Sequence, residues 1–136
     1  MTIFPAALIL VYVAIATPPR IAPPDLMPFL KVVSASAGAP GRIACRDLDL
    51  AMRMKQLGLS PDAKAPVAWA ATADQLRDYL AEGKLVVAGD AALLEAGAGV
   101  AIVLEKGKPT ILVNTRNVQA SGIVLSDAFL KIARVR

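Results

Sequence analysis

Few side chains in this sequence could carry out chemistry, and they are scattered. Histidine is absent from the 136 residues, and Cys45 is the single cysteine. A chain without histidine lacks the usual general base near neutral pH and the commonest metal ligand. A single cysteine cannot form an internal disulfide, and on an apolar strand it behaves as a small hydrophobic residue. The composition predicts no catalytic residue, no metal site and no cofactor.

The carboxylates and hydroxyls do not form a catalytic set either. Asp47 and Asp49 are too close in sequence to share one helix face, so they do not form an acid–base pair. Ser121 and Ser126 have no neighbouring base and no nucleophile-elbow sequence, which favours capping or turn roles. These patterns predict that the protein is not an enzyme.

Two glycine-containing patterns could contact a ligand. Gly97-Ala98-Gly99 lacks the third glycine of the dinucleotide fingerprint, so a turn is the better interpretation. Gly89 and Asp90 end an apolar segment, and open α/β sheets bind ligands beyond strand ends of this kind. One hypothesis is therefore a small-ligand site beyond Asp90. The alternative role for Asp90 is to form a turn or cap a helix.

The charge pattern argues against a nucleic-acid partner. The net charge is +4, from 15 basic and 11 acidic residues that are interspersed along the chain. Aromatic residues make up 4% of the sequence and there is no basic block. This pattern is typical of a mixed, solvated surface.

The N-terminus has the features of an exported protein. Residues 3–16 form an uncharged apolar run with the length of a signal-peptide core, and Ala14-Ile15-Ala16 supplies a small-x-small cleavage pattern. We expect a signal peptide at 1–16, a Pro-rich linker at 17–24 and one domain at 25–136. The mature protein would be periplasmic without a membrane span. The alternative is a cytoplasmic protein whose apolar run belongs to the fold, because no Lys or Arg precedes the run.

The remaining chain alternates short apolar segments with amphipathic ones. A short helix is expected at 25–33 with Pro28 in its first turn, and a turn at 60–62. Asp47 is expected to start a helix, and Ser126 to cap the terminal helix, with Arg134 near that helix's C-terminus. Thr72 and Gln75 form a capping box. The helix that starts at Asp47 is predicted to bury Leu48, Ala51, Met52 and Leu57. The helix capped by Thr72 is predicted to bury Leu76, Tyr79 and Leu80, and the terminal helix Phe129, Leu130 and Ala133.

The order of these segments predicts an α/β fold. Strands at 41–45, 66–71 and 84–90 are separated by helices, which favours parallel pairing. The apolar segments 101–104 and 110–113 are too close for an intervening helix, so residues 105–108 must form a hairpin turn. We expect three layers around a mixed, mainly parallel sheet of about five strands, with a C-terminal antiparallel hairpin and a terminal helix.

The C-terminal half resembles the YfiR-like periplasmic family. The segments LVVAGD, GVAIVLEKGKPTILVN and ASGIVLSDAFLKIARV are similar to the closing signature of that family. The resemblance extends more loosely upstream through VAWAATADQLRDYLAEG. The matching positions are Gly89, Asp90, Gly99, Glu105, Asn114, Gly122 and Ser126.

This resemblance implies a non-catalytic regulator that dimerises and binds a protein partner. In the family, the partner is an inner-membrane diguanylate cyclase, whose inhibition restrains cyclic-di-GMP signalling and biofilm formation. Family members carry paired cysteines, whereas this chain has Cys45 alone, so an internal redox bridge is excluded. The interaction surface is expected at Phe29 or at Leu93 and Leu94, which lie in short apolar segments.

Overall fold

The computed structural model describes residues 21–135. The predicted signal peptide and most of the predicted linker lie outside this range. The helices are α1 (Pro23–Ser36), α2 (Leu48–Gln56), α3 (Ala73–Ala81), α4 (Ala92–Ala96), α5 (Thr115–Ser121) and α6 (Asp127–Ile132). The strands are β1 (Arg42–Cys45), β2 (Ser60–Pro61), β3 (Val67–Ala70), β4 (Leu85–Ala88), β5 (Val100–Glu105), β6 (Lys108–Val113) and β7 (Arg134–Val135).

The strands form one mixed sheet in the order β2-β1-β3-β4-β5-β6-β7. Neighbouring strands are parallel except β5 and β6, which form the predicted antiparallel hairpin. The five strands of four or more residues match the expected ones, and the two-residue strands β2 and β7 extend the edges. The chain passes from β1 outward to β2 and then back across β1 to β3, so the strand order reverses at β1.

Two apolar clusters cover the faces of the sheet and give the expected three layers. One face packs against α1, α2 and α6, whose buried side chains include Leu30, Met54 and Phe129. The other face packs against α3 and α4 through Tyr79 and Leu94. The central strand β4 is buried along its whole length, because helices cover it on both sides.

Helix α1 is longer than expected and begins earlier. Pro23 and Pro24 occupy its first turn, so the last two residues of the predicted linker belong to this helix. A proline in the first turn removes no helical hydrogen bond, because the first backbone N–H groups have no partner there. Pro28 lies inside the helix, not in its first turn as predicted.

The buried face of α2 differs from the predicted one. Leu48 and Met52 are 78% and 62% exposed, whereas Met54 is fully buried and Leu50 and Leu57 pack beside it. The helix carries two apolar stripes, and the contact with the sheet selects the one through Leu50 and Met54. In α3, Leu76 and Tyr79 are buried as predicted, but Leu80 is partly exposed.

The C-terminal part contains two elements that the sequence did not predict. Asn114 caps α5 by accepting a hydrogen bond from the Asn117 backbone N–H at 3.2 Å. After α6, the chain becomes extended and Arg134 and Val135 pair with β6. Arg134 therefore lies in a strand, where its guanidinium binds the Glu105 carboxylate at 2.7 Å, and not at a helix end.

The turn predicted at residues 60–62 begins later than expected. Ser60 and Pro61 form strand β2 beside β1, and the predicted turn begins after them, where the Ala65 backbone N–H donates to the Asp62 carbonyl. Lys84, just before β4, is buried. Its ammonium donates to the Ala63 and Ala65 carbonyls at 2.9 and 2.6 Å and so connects β4 to the loop before β3.

No helix within residues 21–135 is long and apolar enough to cross a membrane.

Candidate functional site

A large cleft lies between α1 and α2, above the carboxyl ends of β1 and β3. Its volume is about 530 Å³, which is within the range of small-molecule sites. It forms where the strand order reverses, the position at which open α/β sheets leave a crevice. The described lining residues are Ile21, Pro23, Leu26, Asp47, Asp49, Leu50, Met52, Arg53, Gln56, Trp69 and Ala71.

Trp69 lies at the end of β3 and forms an aromatic part of the cleft wall. Its side chain is only 6% exposed, and it packs with the cluster beneath α1 and α2. A Cβ atom on Gly89 would approach Trp69 Cη2 to 3.1 Å, closer than most real Cβ contacts. Gly89 therefore leaves the space in which the indole lies, so this signature glycine positions a cleft residue.

The polar rim of the cleft comes from the start and outer face of α2. Asp47 caps this helix, because its Oδ1 accepts a hydrogen bond from the Leu50 backbone N–H at 3.3 Å. Asp49 and Arg53 lie one turn apart and both line the cleft. Within residues 21–135 neither forms a salt bridge. The cleft thus combines an apolar wall with a carboxylate and a guanidinium that make no ion pair among the described residues.

Asp47 and Asp49 border the same cleft, although their sequence spacing argued against a shared face. Asp47 precedes the helix as its cap, so the two do not need to share a helix face. Asp49, Arg53 and Trp69 were not predicted as site residues. The one sequence signal for them is position, since Trp69 lies in β3 and the helix that carries Asp49 and Arg53 begins at Leu48, just after β1 ends at Cys45.

The cleft does not lie beyond Asp90, where the sequence suggested a small-ligand site. Asp90 Oδ1 accepts a hydrogen bond from the Ala92 backbone N–H at 2.9 Å, so the side chain orders the turn into α4. Asp90 does not line the large cleft. Gly97 ends α4 and Gly99 precedes β5, as expected for a turn.

The other signature residues have structural roles. A Cβ atom at buried Gly99 would collide with Leu85 and Val118, so close packing requires glycine there. Gly122 ends α5 in the left-handed conformation. Ser126 caps α6 by accepting a hydrogen bond from the Phe129 backbone N–H at 3.2 Å. Ser121 donates to the Val118 carbonyl and has no base beside it.

Cys45 lies at the end of β1 and is a poor nucleophile. Burial raises the pKa of its thiol to about 11. Arg46 points to the opposite face, as strand alternation predicts, and its guanidinium lies 5.0 Å from the Tyr79 ring centre. It binds Asp78 and Glu82 at 2.7 and 2.9 Å. Arg46 therefore does not activate the thiol.

The three residues predicted to form an interaction surface differ in exposure, and a contact role for Phe29 and Leu93 stays a prediction. Leu94 is 3% exposed and belongs to the core between the sheet and α4. Leu93 and Phe29 are partly buried and pack against the two clusters. Leu94 is therefore a structural residue, and the prediction of a surface role for it is wrong.

The described residues contain no group of three or more His, Cys, Asp or Glu side chains that could hold a metal ion. The described lining of the cleft contains no serine, threonine, cysteine, lysine or tyrosine. It can supply charge, an amide and apolar surface to a bound molecule.

No family model matches this sequence, and no curated protein matches it. A conserved domain protein from Vibrio cholerae O1 biovar eltor is similar in structure, with a TM-score of 0.63, 11% identity and coverage of 81% of this chain and 59% of that chain. An ABC domain from Streptococcus pneumoniae in complex with L-Trp has a TM-score of 0.58, 12% identity and coverage of 79% and 60%. This chain spans about three fifths of the length of these structures, and the similarity shows an α/β fold.

Proposed function

We propose that this domain is a non-catalytic binding module that takes a small organic molecule into the α1–α2 cleft. The observation that carries the proposal is the cleft of about 530 Å³ at the reversal of strand order. It is lined by Trp69 and by Asp49 and Arg53, which form no salt bridge within residues 21–135. Clefts in this position bind ligands in many open α/β proteins. The fold similarity to an ABC domain in complex with L-Trp supports the proposal by analogy.

The test uses Trp69, the single tryptophan of the chain. Its indole N–H gives one NMR signal, and pools of small metabolites that contain a ligand should shift this signal. Ala71→Leu fills the cleft and should abolish the shift, whereas Ala96→Leu, an exposed change on α4, should preserve it. If no pool shifts the indole or the neighbouring cleft amides, the proposal is wrong.

A second candidate function is the partner-binding regulator that the YfiR-like resemblance implies. Exposed apolar side chains favour it, because Leu48 is 78% exposed on α2 and Val32 and Ile132 are exposed on the same helix layer. The partner proposed by resemblance is an inner-membrane diguanylate cyclase, and the protein would restrain cyclic-di-GMP signalling and biofilm formation.

A pull-down from envelope extracts tests this second function. Leu48→Glu should reduce capture of the cyclase, whereas Ala81→Glu, an exposed change on the opposite layer, should not. Sedimentation of the wild-type protein tests the proposed dimer. Equal capture of the cyclase by the wild-type protein and the Leu48→Glu variant would exclude this surface.

We also propose export to the periplasm, on the basis of the apolar run at 3–16 and Ala14-Ile15-Ala16. N-terminal sequencing of the protein from its native host should give a first residue near Thr17. A cytosolic protein that retains Met1 would contradict export.

A further inference from the structure

The position of Asp49 and Arg53 on α2 carries information about the chemistry of the ligand. An acidic residue four positions before a basic one is the favourable spacing for an ion pair on a helix. Among the described residues, however, Asp49 and Arg53 make no salt bridge with each other or with another side chain. Both line the cleft, so both charged groups remain available to a bound molecule.

The second carboxylate that lines the cleft, that of Asp47, is already engaged. Asp47 accepts a hydrogen bond from the backbone N–H of Leu50 as the helix cap, whereas Asp49 makes no ion pair with another residue of 21–135. The apolar side chains of Leu26, Leu50 and Trp69 line the same cleft and belong to or pack against the buried cluster.

We propose that the ligand is a free α-amino acid with an apolar side chain. Its ammonium group binds the Asp49 carboxylate, its carboxylate binds the Arg53 guanidinium, and its side chain contacts Trp69. A zwitterion satisfies both charges at once, whereas a ligand with one charge leaves the other group unpaired. This inference rests on the proposed binding function of the cleft.

The experiment measures quenching or enhancement of Trp69 fluorescence in the full chain. The titrants are L-leucine, L-methionine and L-phenylalanine, the amine that lacks the carboxylate (phenethylamine), and the acid that lacks the ammonium group (3-phenylpropionate). A hydrogen bond to a charged group contributes about 1.5–3 kcal/mol, so each single-charge analogue should bind about 10- to 100-fold more weakly than L-phenylalanine. The dipeptide Leu-Leu, whose charges are farther apart, should also bind more weakly than L-leucine.

Two variants assign the charges. Asp49→Asn should weaken L-phenylalanine binding about 10- to 100-fold and leave 3-phenylpropionate binding unchanged. Arg53→Gln should weaken L-phenylalanine to a similar degree and leave phenethylamine unchanged. Lys55→Gln and Asp127→Asn are matched controls, because both side chains are exposed and neither lines the cleft. Circular dichroism checks that each variant is folded.

The outcomes distinguish the proposed ligand class from the proposed binding function of the cleft. Amino-acid binding that depends on both charged residues supports the inference. If the metabolite pools shift the Trp69 indole but none of these amino acids changes its fluorescence, the ligand class is wrong and the binding function stands. If amino acids bind equally well to Asp49→Asn and Arg53→Gln, the assigned contacts are wrong. If neither pools nor amino acids affect Trp69, both proposals fail.

Discussion

The Cys45 thiol lies at the end of β1 and packs beside the cluster beneath α1 and α2. Burial raises its pKa to about 11, and a backbone hydrogen bond from Asp47 lowers the pKa by a smaller amount. A thiol with a raised pKa is almost entirely protonated at neutral pH, and the protonated form is a weak nucleophile. The residue therefore behaves as part of the core.

We predict that alkylation of Cys45 in the native protein has a pH midpoint near 11, and near 9 when the protein is denatured. The native thiol keeps its proton at a pH where the unfolded thiol has lost it. The contribution of this thiol to stability is therefore present below about pH 9 and is lost as the pH rises through about 11. The measurement is the alkylation rate against pH, with Cys45→Ser as the background. A native midpoint near 9 would contradict the role of burial.

Lys84 offers a second test at the scale of one side chain. Lys84→Met keeps the aliphatic stem but leaves the Ala63 and Ala65 carbonyls without their donor. An unsatisfied buried acceptor costs about 1–3 kcal/mol, so the free energy of unfolding in urea should fall by roughly that amount. Lys64→Met, at an exposed position in the same loop, is the control and should have little effect. Equal effects of the two changes would show that these hydrogen bonds do not stabilise the fold.

At the scale of elements, the β5–β6 hairpin depends on a two-residue turn. Lys106 and Gly107 both have positive φ, 52° and 77°, as a type I′ turn requires. A Cβ atom at Gly107 would meet no other atom within 4 Å, so its substitution tests the backbone conformation alone.

Gly107→Ala should destabilise the protein by about 1–2 kcal/mol, because a residue with a Cβ atom resists the left-handed conformation. Lys106→Asn should stabilise it slightly, because asparagine tolerates this conformation better than lysine. Urea unfolding of the two variants measures both effects. Stabilisation by Gly107→Ala would rule out the turn geometry.

Helix caps and the hairpin could be predicted from the sequence because their determinants are local. Thr72 accepts a hydrogen bond from the Gln75 backbone N–H, and Gln75 Oε1 accepts one from Ala71, within a few residues of the cap. The reciprocal bond reaches Ala71, one residue before the cap that the capping box predicts. Ser126 needs only Phe129 to cap α6.

The remaining features depend on contacts between distant parts of the chain. The sequence of α2 contains one apolar stripe through Leu48 and Met52 and another through Leu50 and Met54. Only packing against the sheet decides which stripe is buried. Strand β7 forms because β6 offers an unpaired edge. The cleft brings Ile21, Arg53 and Trp69 together through the strand order. No local pattern connects these three residues.

At the scale of the whole molecule, the two helix layers differ in their surfaces. Arg46 and Arg77 form salt bridges with acidic residues of α3, on one side of the sheet. Among the described residues, α1, α2 and α6 form no such pair with one another, and this layer exposes Leu48 and Met52. The asymmetry places the α1–α2 cleft and the exposed apolar side chains on the same side of the sheet. A partner bound there would contact α2, which also lines the cleft.

Backbone amide hydrogen exchange should follow the depth of each strand in the sheet. We expect the amides of β4 (Leu85–Ala88) to exchange most slowly, because this strand is central and fully buried. The amides of β7 (Arg134–Val135), on the exposed edge, should exchange much faster. Measurement by NMR or mass spectrometry resolves the two segments. Similar rates in both would contradict the seven-strand order.

The strand order also has a consequence for biosynthesis. From β3 onward, each strand pairs with the strand made just before it, except that β3 itself pairs with β1. No strand has to enter between two that are already paired. The sheet can therefore grow at one edge as the ribosome releases the chain, and a nascent chain that has reached β4 already contains every neighbour that β3 will have in the finished protein.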